Sequence, residues 1–371
     1  MQFIISRDIF LNGLMKVQGI VEKKHTIPIL ANVLIEAKND EITITATDLE
    51  VGLKSRYKAK VIDEGKITVS AKKMFEIIKE LPDKEINFNS KSNFWVEVKC
   101  HKSIFNLVGL SPDEFPKFPD IQLGNSSIIK SNLSEMIEKT LFSVSSDETK
   151  FNLTGIFIKS KKVNNENKLV FVSTDGHRLS LIKRTIETQL DNKYSEGFIL
   201  PKKGIIEIKK LLETMDENIV MGISDNNFSI SNNKTTLIMR MVDGEFPDYN
   251  RVIPDKGNNS AIIDKNLFLH ALKRISILSS EKSKGVKLSL NKDSLVLTSS
   301  NPEIGDAKEE IEIAYSGDDI TIGFNAKYII EILQVIKNEN IIFNLKDNIS
   351  PGRINPEGDE DHISVIMPMR L

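Results

Sequence analysis

The strongest constraint on this chain is a pattern that it states three times. Val69 to Leu81 (VSAKKMFEIIKEL), Ile199 to Leu212 (ILPKKGIIEIKKLL) and Ile322 to Ile336 (IGFNAKYIIEILQVI) each read as a short β-like lead running into an amphipathic helix. Each helix carries a glutamate at one shared position (Glu76, Glu207, Glu331), and the copies align on it without gaps, roughly 125 to 130 residues apart. Four residues before the glutamate stands Lys72, Lys203 or Lys327, and three after it stands Lys79, Lys210 or Gln334. At about 100° per residue these share one helical face. The opposite arc is apolar: Met74, Ile77, Ile78 and Leu81, then Ile205, Ile208 and Leu212, then Ile329, Ile332, Leu333 and Ile336. Each helix should therefore lie on a core and turn a mostly basic face outward. A solvated face would account for any one copy, whereas three copies ask for a shared use.

Other markers repeat with the same period. Helical starts follow Ser6, which reads as an N-cap, and recur at Asn132 and Asn266. Alternating runs that read as antiparallel hairpins come next, the first broken at Lys38-Asn39-Asp40. Thr47-Asp48, Thr174-Asp175 and Ser300-Asn301 occupy one place in the three units, and Glu114-Phe115-Pro116, Glu245-Phe246-Pro247 and Pro368 close them. The expectation is an α+β protein of three homologous domains, 1–125, 126–253 and 254–371, each with two helices packed on antiparallel sheets. Edge strands able to pair with the next domain would give a curved array. Two chains joined head to tail would close it into a ring of six domains, the alternative being a monomeric arc.

Forty per cent hydrophobic and 27% charged residues suit a globular chain, and 371 residues exceed one ordinary core. The formal charge of −2 argues against an overall basic nucleic-acid binder and leaves room for a local basic face. A single cysteine, Cys100, and the absence of zinc spacing fit a reducing cytoplasm. Neither a signal sequence nor a membrane-length apolar run is legible, so a cytoplasmic protein without a membrane partner is expected.

The most enzyme-like stretch is Thr174-Asp175-Gly176-His177-Arg178-Leu179. A hydrolase using Asp175 and His177 would need a nucleophile or metal partner, and no such signature is present, so a structural turn or a binding role remains. Asp83, Asp113, Asp120 and the run Glu357, Asp359, Glu360, Asp361 lack regular metal-ligand spacing, and Gly352, Pro356 and Gly358 mark the run as a solvated loop. Aromatic residues do not interleave with lysine, so any nucleic-acid contact should be with duplex phosphates. The ending Ile363 to Leu371 (ISVIMPMRL) reads as a core edge strand or as a methionine-containing surface able to take varied peptides.

Taken in order, TIPILANVLIE from Thr26, TATDLE from Thr45, TDGHRL from Thr174, LPKKGIIEI from Leu200, DGEFPDY from Asp243, IGFN from Ile322 and MPMRL from Met367 resemble the bacterial sliding clamps over the whole chain. These are the beta subunits of the DNA polymerase III holoenzyme. The resemblance implies a homodimeric six-domain ring that slides on duplex DNA, with helices lining the hole and sheets outside, no enzymatic activity, no cofactor and no metal. It makes Lys24, Lys72, Lys73, Lys79, Lys202, Lys203, Lys209 and Lys210 candidate phosphate contacts; Glu76, Glu207 and Glu331, by their place on the lysine face, are then expected to orient the lysines and temper phosphate affinity. It implies a pocket for short linear motifs of the polymerase III catalytic subunit, the clamp loader, other polymerases and repair proteins. By motif, that pocket falls on Leu153, Thr174, Gly176, His177, Arg178, Leu179, Pro247, Arg251, Val252, Val365, Met367, Pro368, Met369 and Arg370. Phe105, Ile277 and Leu278 would form the dimer interface. The stretch from Ser350 departs from the family pattern, with Pro351 at the expected lip of the pocket.

Overall fold

The computed structural model describes residues 1–21, 27–119, 126–186, 190, 192–214, 218–257, 259–280 and 284–370. In the first third the order is β1 (Gln2–Ser6), α1 (Arg7–Val17), β2 (Asn32–Lys38), β3 (Glu41–Thr47), β4 (Val51–Lys58), β5 (Lys60–Asp63) and β6 (Gly65–Ser70). Then come α2 (Ala71–Glu80), β7 (Glu85–Ser90), β8 (Trp95–Cys100) and β9 (Ser103–Val108). The middle third opens with β10 (Ser126–Ile129), α3 (Lys130–Leu141), β11 (Gly155–Val163), β12 (Glu166–Thr174) and β13 (Arg178–Thr185). It continues through α4 (Lys193–Glu196), β14 (Phe198–Pro201), α5 (Lys202–Leu212), β15 (Asn218–Ser224), β16 (Asn227–Ser231) and β17 (Thr235–Arg240). The last third holds β18 (Asn259–Asp264), α6 (Lys265–Ile275), β19 (Gly285–Asn291), β20 (Ser294–Asn301), β21 (Gly305–Glu312) and β22 (Ile320–Asn325). It ends with α7 (Ala326–Val335), β23 (Asn340–Leu345), β24 (Gly352–Pro356) and β25 (His362–Ile366).

The chain forms two compact units, Met1–Lys130 with Lys203–Met241, and Ser131–Lys202 with Val242–Leu371. The middle third thus contributes one strand set to each. In the first unit β15, β16 and β17 continue the sheet of the first third, giving the order β10-β15-β16-β17-β4-β3-β2-β6 beside a five-stranded sheet β5-β1-β7-β8-β9. In the second unit the order is β14-β11-β12-β13-β25-β24-β23-β18 beside β21-β20-β19-β22. Among the described residues all strand pairings are antiparallel, and the repeats meet where β17 pairs with β4 and β13 with β25.

Local chemistry explains the elements. Asn39 and Asp40 both take positive φ (51° and 55°) between β2 and β3, as Asn164 and Asn165 do between β11 and β12, the geometry of two-residue hairpin turns. Helix α1 begins after Ser6, as its sequence suggests, although the Ser6 side chain makes no capping hydrogen bond. Asp264 does cap α6, accepting from Leu267 N at 2.6 Å. The apolar arcs face inward: Met74 and Ile78 on α2, Ile205 and Ile208 on α5, and Ile329, Ile332 and Leu333 on α7 are buried. Each such side chain contributes about 1.5–3 kcal/mol relative to exposure.

Two expectations are corrected. The C-terminal strand stops at Ile366 and lies inside its sheet between β13 and β24, so it is no edge strand. Pro368 cannot donate to a ladder, and the flanking amides bond elsewhere, Met367 N to His177 O (2.9 Å) and Met369 N to Gly323 O (2.8 Å). The acidic run is no free loop: Asp359 accepts from Arg184 Nη2 (2.7 Å) and Asp361 from Lys168 Nζ (2.6 Å), while Gly352 and Pro356 are buried in β24.

Candidate binding pocket and basic helix faces

The turn between β12 and β13 is tied by its own side chains. Thr174 Oγ1 donates to Arg178 O (2.6 Å) and accepts from Gly176 N (3.1 Å), and Asp175 Oδ1 accepts from the amides of His177 (2.9 Å) and Arg178 (3.0 Å). Gly176 sits at φ +91°, which explains glycine there. The other Asp175 oxygen takes Arg178 Nε at 3.1 Å. Arg178 is buried, pairs with Glu331 on α7, donates to Phe142 O (2.6 Å), and lies 4.4 Å from the centroid of the Tyr328 ring. Both carboxylate oxygens of Asp175 are therefore engaged, and the His177 ring stacks along Tyr328 with centroids 6.4 Å apart. Burial, together with the charge of Asp175, raises the Tyr328 phenol above its ordinary pKa.

Beside this turn opens an apolar cavity of about 160 Å³. Leu153, Thr174, Gly176, Arg178, Leu179, Pro247, Val252, Val365 and Met367 line it, all anticipated from sequence. Beneath it, Val170, Val172, Leu179, Leu181, Ile363 and Val365 form one buried cluster. Phe246, Asp248 and Tyr249 also line the cavity and were not anticipated. Their signal was the repeated Glu-Phe-Pro marker, read only as a unit ending. Phe246 stacks on Phe157 with centroids 5.0 Å apart, and Asp248 accepts from Asn250 N (3.3 Å) and Arg251 Nε (3.0 Å), shaping the 3-10 turn Tyr249–Val252.

His177, Arg251, Pro368, Met369 and Arg370 are not in the lining. His177 contributes its carbonyl to Met367, Arg251 is exposed on Asp248, and Met369 is bridged to Gly323. Pro368 is half-buried and Arg370 exposed. Pro351 lies just before β24 and is likewise not in the lining.

The lysines divide. Lys72 and Lys73 are exposed and share Glu76, at 3.9 and 2.9 Å. Lys79 and Lys209 are exposed without an ion pair among the described residues. Lys210 reaches Glu207 at 2.6 Å, and Lys202 donates to Ser146 Oγ at 3.1 Å. Lys203 is half-buried, pairing with Asp48 and donating to Ile20 O at 3.3 Å. Lys24 lies outside the described residues. The three glutamates, alike in sequence, differ in setting. Glu76 is half-exposed, and Lys73 holds its carboxyl below the usual range. Glu207 is only 4% exposed, against Gly19, where any side chain would collide with the carboxylate. Glu331 holds Arg178.

A second charged network braces the far end of β13. Arg184 donates to both Glu135 oxygens (2.9 and 2.8 Å) and to Asp359, and buried Lys139 reaches Glu135 at 2.6 Å. Arg184 draws the Glu135 carboxyl down to about 2. Under the network His362 is fully buried with neither ring nitrogen bonded, and burial takes its pKa down to about 3.

The expected interface residues lie on exposed margins. Phe105 is 38% exposed on β9, the edge of its sheet, beside exposed Ile104 and Val108. Ile277 is 74% exposed in the turn after α6, with Leu278 half-buried next to it. Among the described residues no helix is long and apolar enough to cross a membrane, and no His, Cys, Asp or Glu group could hold a metal.

Comparison with known proteins covers the chain from end to end. The DNA polymerase III beta subunit matches as three consecutive domains, N-terminal over residues 1–119, central over 127–248 and C-terminal over 250–370. The beta sliding clamp of Pseudomonas aeruginosa is 33% identical over 373 residues and that of Haemophilus influenzae 35% over 376, each covering 100% of both chains. A crystal structure of the Caulobacter crescentus beta sliding clamp superposes with TM-score 0.94 at 33% identity, again over 100% of both chains. That of Bartonella birtlesii, bound to griselimycin, gives 0.95 at 30% with the same coverage. The chain belongs to the DNA polymerase III beta subunit family.

Proposed function

We propose that this protein is a DNA polymerase processivity factor: two copies form a six-domain ring that encircles duplex DNA, slides on it, and tethers the replicative polymerase. The observation that carries the reading is the match of all three beta-subunit domains, in order, along the whole chain. The domains are taken as 1–125, 126–253 and 254–371, and the role is that of a non-catalytic accessory subunit acting in the cytoplasm without a cofactor.

Sequence-blind contact to phosphates is assigned to the exposed lysines of α2 and α5, namely Lys72, Lys73, Lys79, Lys209 and Lys210, with Lys24 and Lys202 as further candidates. An ammonium on a flexible stem tolerates many phosphate positions, which suits sliding. Lys203, held by Asp48, contributes least.

Head-to-tail closure is supported by two sheet edges, β9 and β21. An open edge offers unpaired amides and carbonyls to a neighbouring strand. Exposed Ile104, Phe105 and Val108 on one copy would meet Ile277 and Leu278 on the other, with Lys99 and Lys102 facing the acidic positions of β21. Static light scattering should give about twice the 41.8 kDa chain mass, and a stable monomer would remove the ring.

The cavity between Leu179, Val365 and Tyr249 is assigned to the short linear motifs of the polymerase III catalytic subunit, the clamp loader, other polymerases and repair proteins. An apolar pocket with a few fixed polar groups suits a short peptide with apolar anchors. Griselimycin, bound by the Bartonella relative, is a candidate ligand. The test is titration with a fluorescent peptide copying the polymerase catalytic subunit's tail. Removing Met367 to Leu371 should weaken binding at least about tenfold, roughly 1.4 kcal/mol, with the dimer intact. Unchanged affinity would refute the assignment.

A further inference from the structure

The two places where repeats meet are aligned by hydrogen-bond register. Leu179 stands opposite Val365 across β13 and β25, and Gly52 stands opposite Ile238 across β4 and β17. Leu179 and Val365 line the cavity. At the first junction the corresponding position is covered from within the chain. The Phe118 ring lies over Gly52 so closely that a Cβ there would stand 3.0 Å from the ring and 3.1 Å from the Ile238 methyl. Phe118 follows Pro116 by two residues, as Tyr249 follows Pro247. Lys54 Nζ stands 6.0 Å from the centroid of the ring.

We propose that the first junction holds a second peptide-binding site, kept shut by Phe118 acting as its internal ligand. Gly52 lets the ring settle onto the strand, whereas a leucine at the matching position leaves the second cavity open. The occupant once Phe118 leaves is a peptide presenting one aromatic side chain flanked by acidic residues. Lys54 and Arg56, exposed on the face of β4 that carries Gly52, favour that charge, and the chain's own segment carries Asp113 and Glu114 ahead of Phe118.

This inference rests on the cavity beside β13 and β25 being a peptide site, and the test separates the two. A fluorescein-labelled peptide copying Asp113–Pro119 is titrated against the full chain as wild type, Phe118→Ala, Phe118→Leu and Gly52→Ala, each with and without Met367 to Leu371. Phe118→Ala should bind one equivalent per chain more than wild type, Phe118→Leu and Gly52→Ala, whose added methyl fills the seat of the ring, and the extra equivalent should survive the truncation. Phe118→Val, which keeps an apolar side chain but removes the ring that covers Gly52, carries the test if Phe118→Ala folds poorly. Equal stoichiometry across all variants, or an extra equivalent lost on truncation, would overturn the proposal. Failure of the second-cavity reading shows separately, as wild-type binding that ignores the truncation.

Discussion

The junction of β4 with β17 and the junction of β13 with β25 start from the same turn and end with different uses. Thr47 and Thr174 each donate to the carbonyl four residues on, and Asp48 and Asp175 each accept two amides of the turn. The difference lies in the second carboxylate oxygen. Asp48 spends it on Lys203 of α5, while Asp175 spends it on Arg178, which reaches on to Glu331 of α7. Position 49 of the first turn is a leucine at φ +77°, where the second has Gly176. Repeated backbone chemistry therefore fixes the strand pairing, and a few side chains decide whether the junction is sealed by Phe118 or left open as a cavity.

The largest effect should separate the two anchors. Arg178→Ala leaves Asp175 and Glu331 partly buried without their cation and should cost about 3–5 kcal/mol, read by urea denaturation. Lys203→Ala should cost only about 1–2 kcal/mol, because the Lys203 ammonium is half in water. Equal losses would break the comparison. Next, Leu179→Ala removes a buried side chain from under the open cavity and should cost about 2–4 kcal/mol. Peptide binding should weaken with it, since Leu179 lines the cavity. Full peptide affinity in a folded Leu179→Ala chain would mean that the cavity is not the site.

A third difference is pH dependence. Folded His362 titrates near 3, well below its ordinary value of 6.5. Below about 6.5 an unfolded chain takes up a proton that the folded chain refuses, so stability falls as pH drops toward 3, by up to about 1.4 kcal/mol per unit. Glu135, depressed to about 2, adds loss in the same direction below its ordinary 4.5. His362→Leu should flatten the stability profile between pH 6.5 and 5 in thermal melts, and an unchanged slope would contradict the role of His362. The smallest effect concerns the helix glutamates. Glu76→Gln frees Lys72 and Lys73 and should tighten DNA association slightly at low salt, an effect that added salt screens away. Glu207→Gln should act on stability first, because that carboxylate is buried against Gly19.

The threefold period and the helix faces were legible because they rest on local spacing, and nine of the cavity residues were reached through the short motifs that carry the family resemblance. The division of the middle third between two compact units was not, since a strand's alternation names its faces and not its neighbours. Lys203 and Glu207 read as surface groups because helical geometry gives the outward arc without what packs over it. Phe246 and Tyr249 were missed for a related reason: a proline-bounded marker signals a turn, and only the stacking on Phe157 brings these rings to the cavity. Asp359 and Asp361 looked solvated because their cations, Arg184 and Lys168, are distant in sequence.

The central claim, that this protein holds DNA by topology more than by affinity, is tested by loading it with a clamp loader onto nicked circular DNA, isolating the complex by gel filtration, and then cutting the circle. Weak, salt-screened phosphate contacts cannot retain a sliding ring once an end is available, so the protein should stay on the circle and leave after linearisation. Retention on the linear DNA would contradict encirclement.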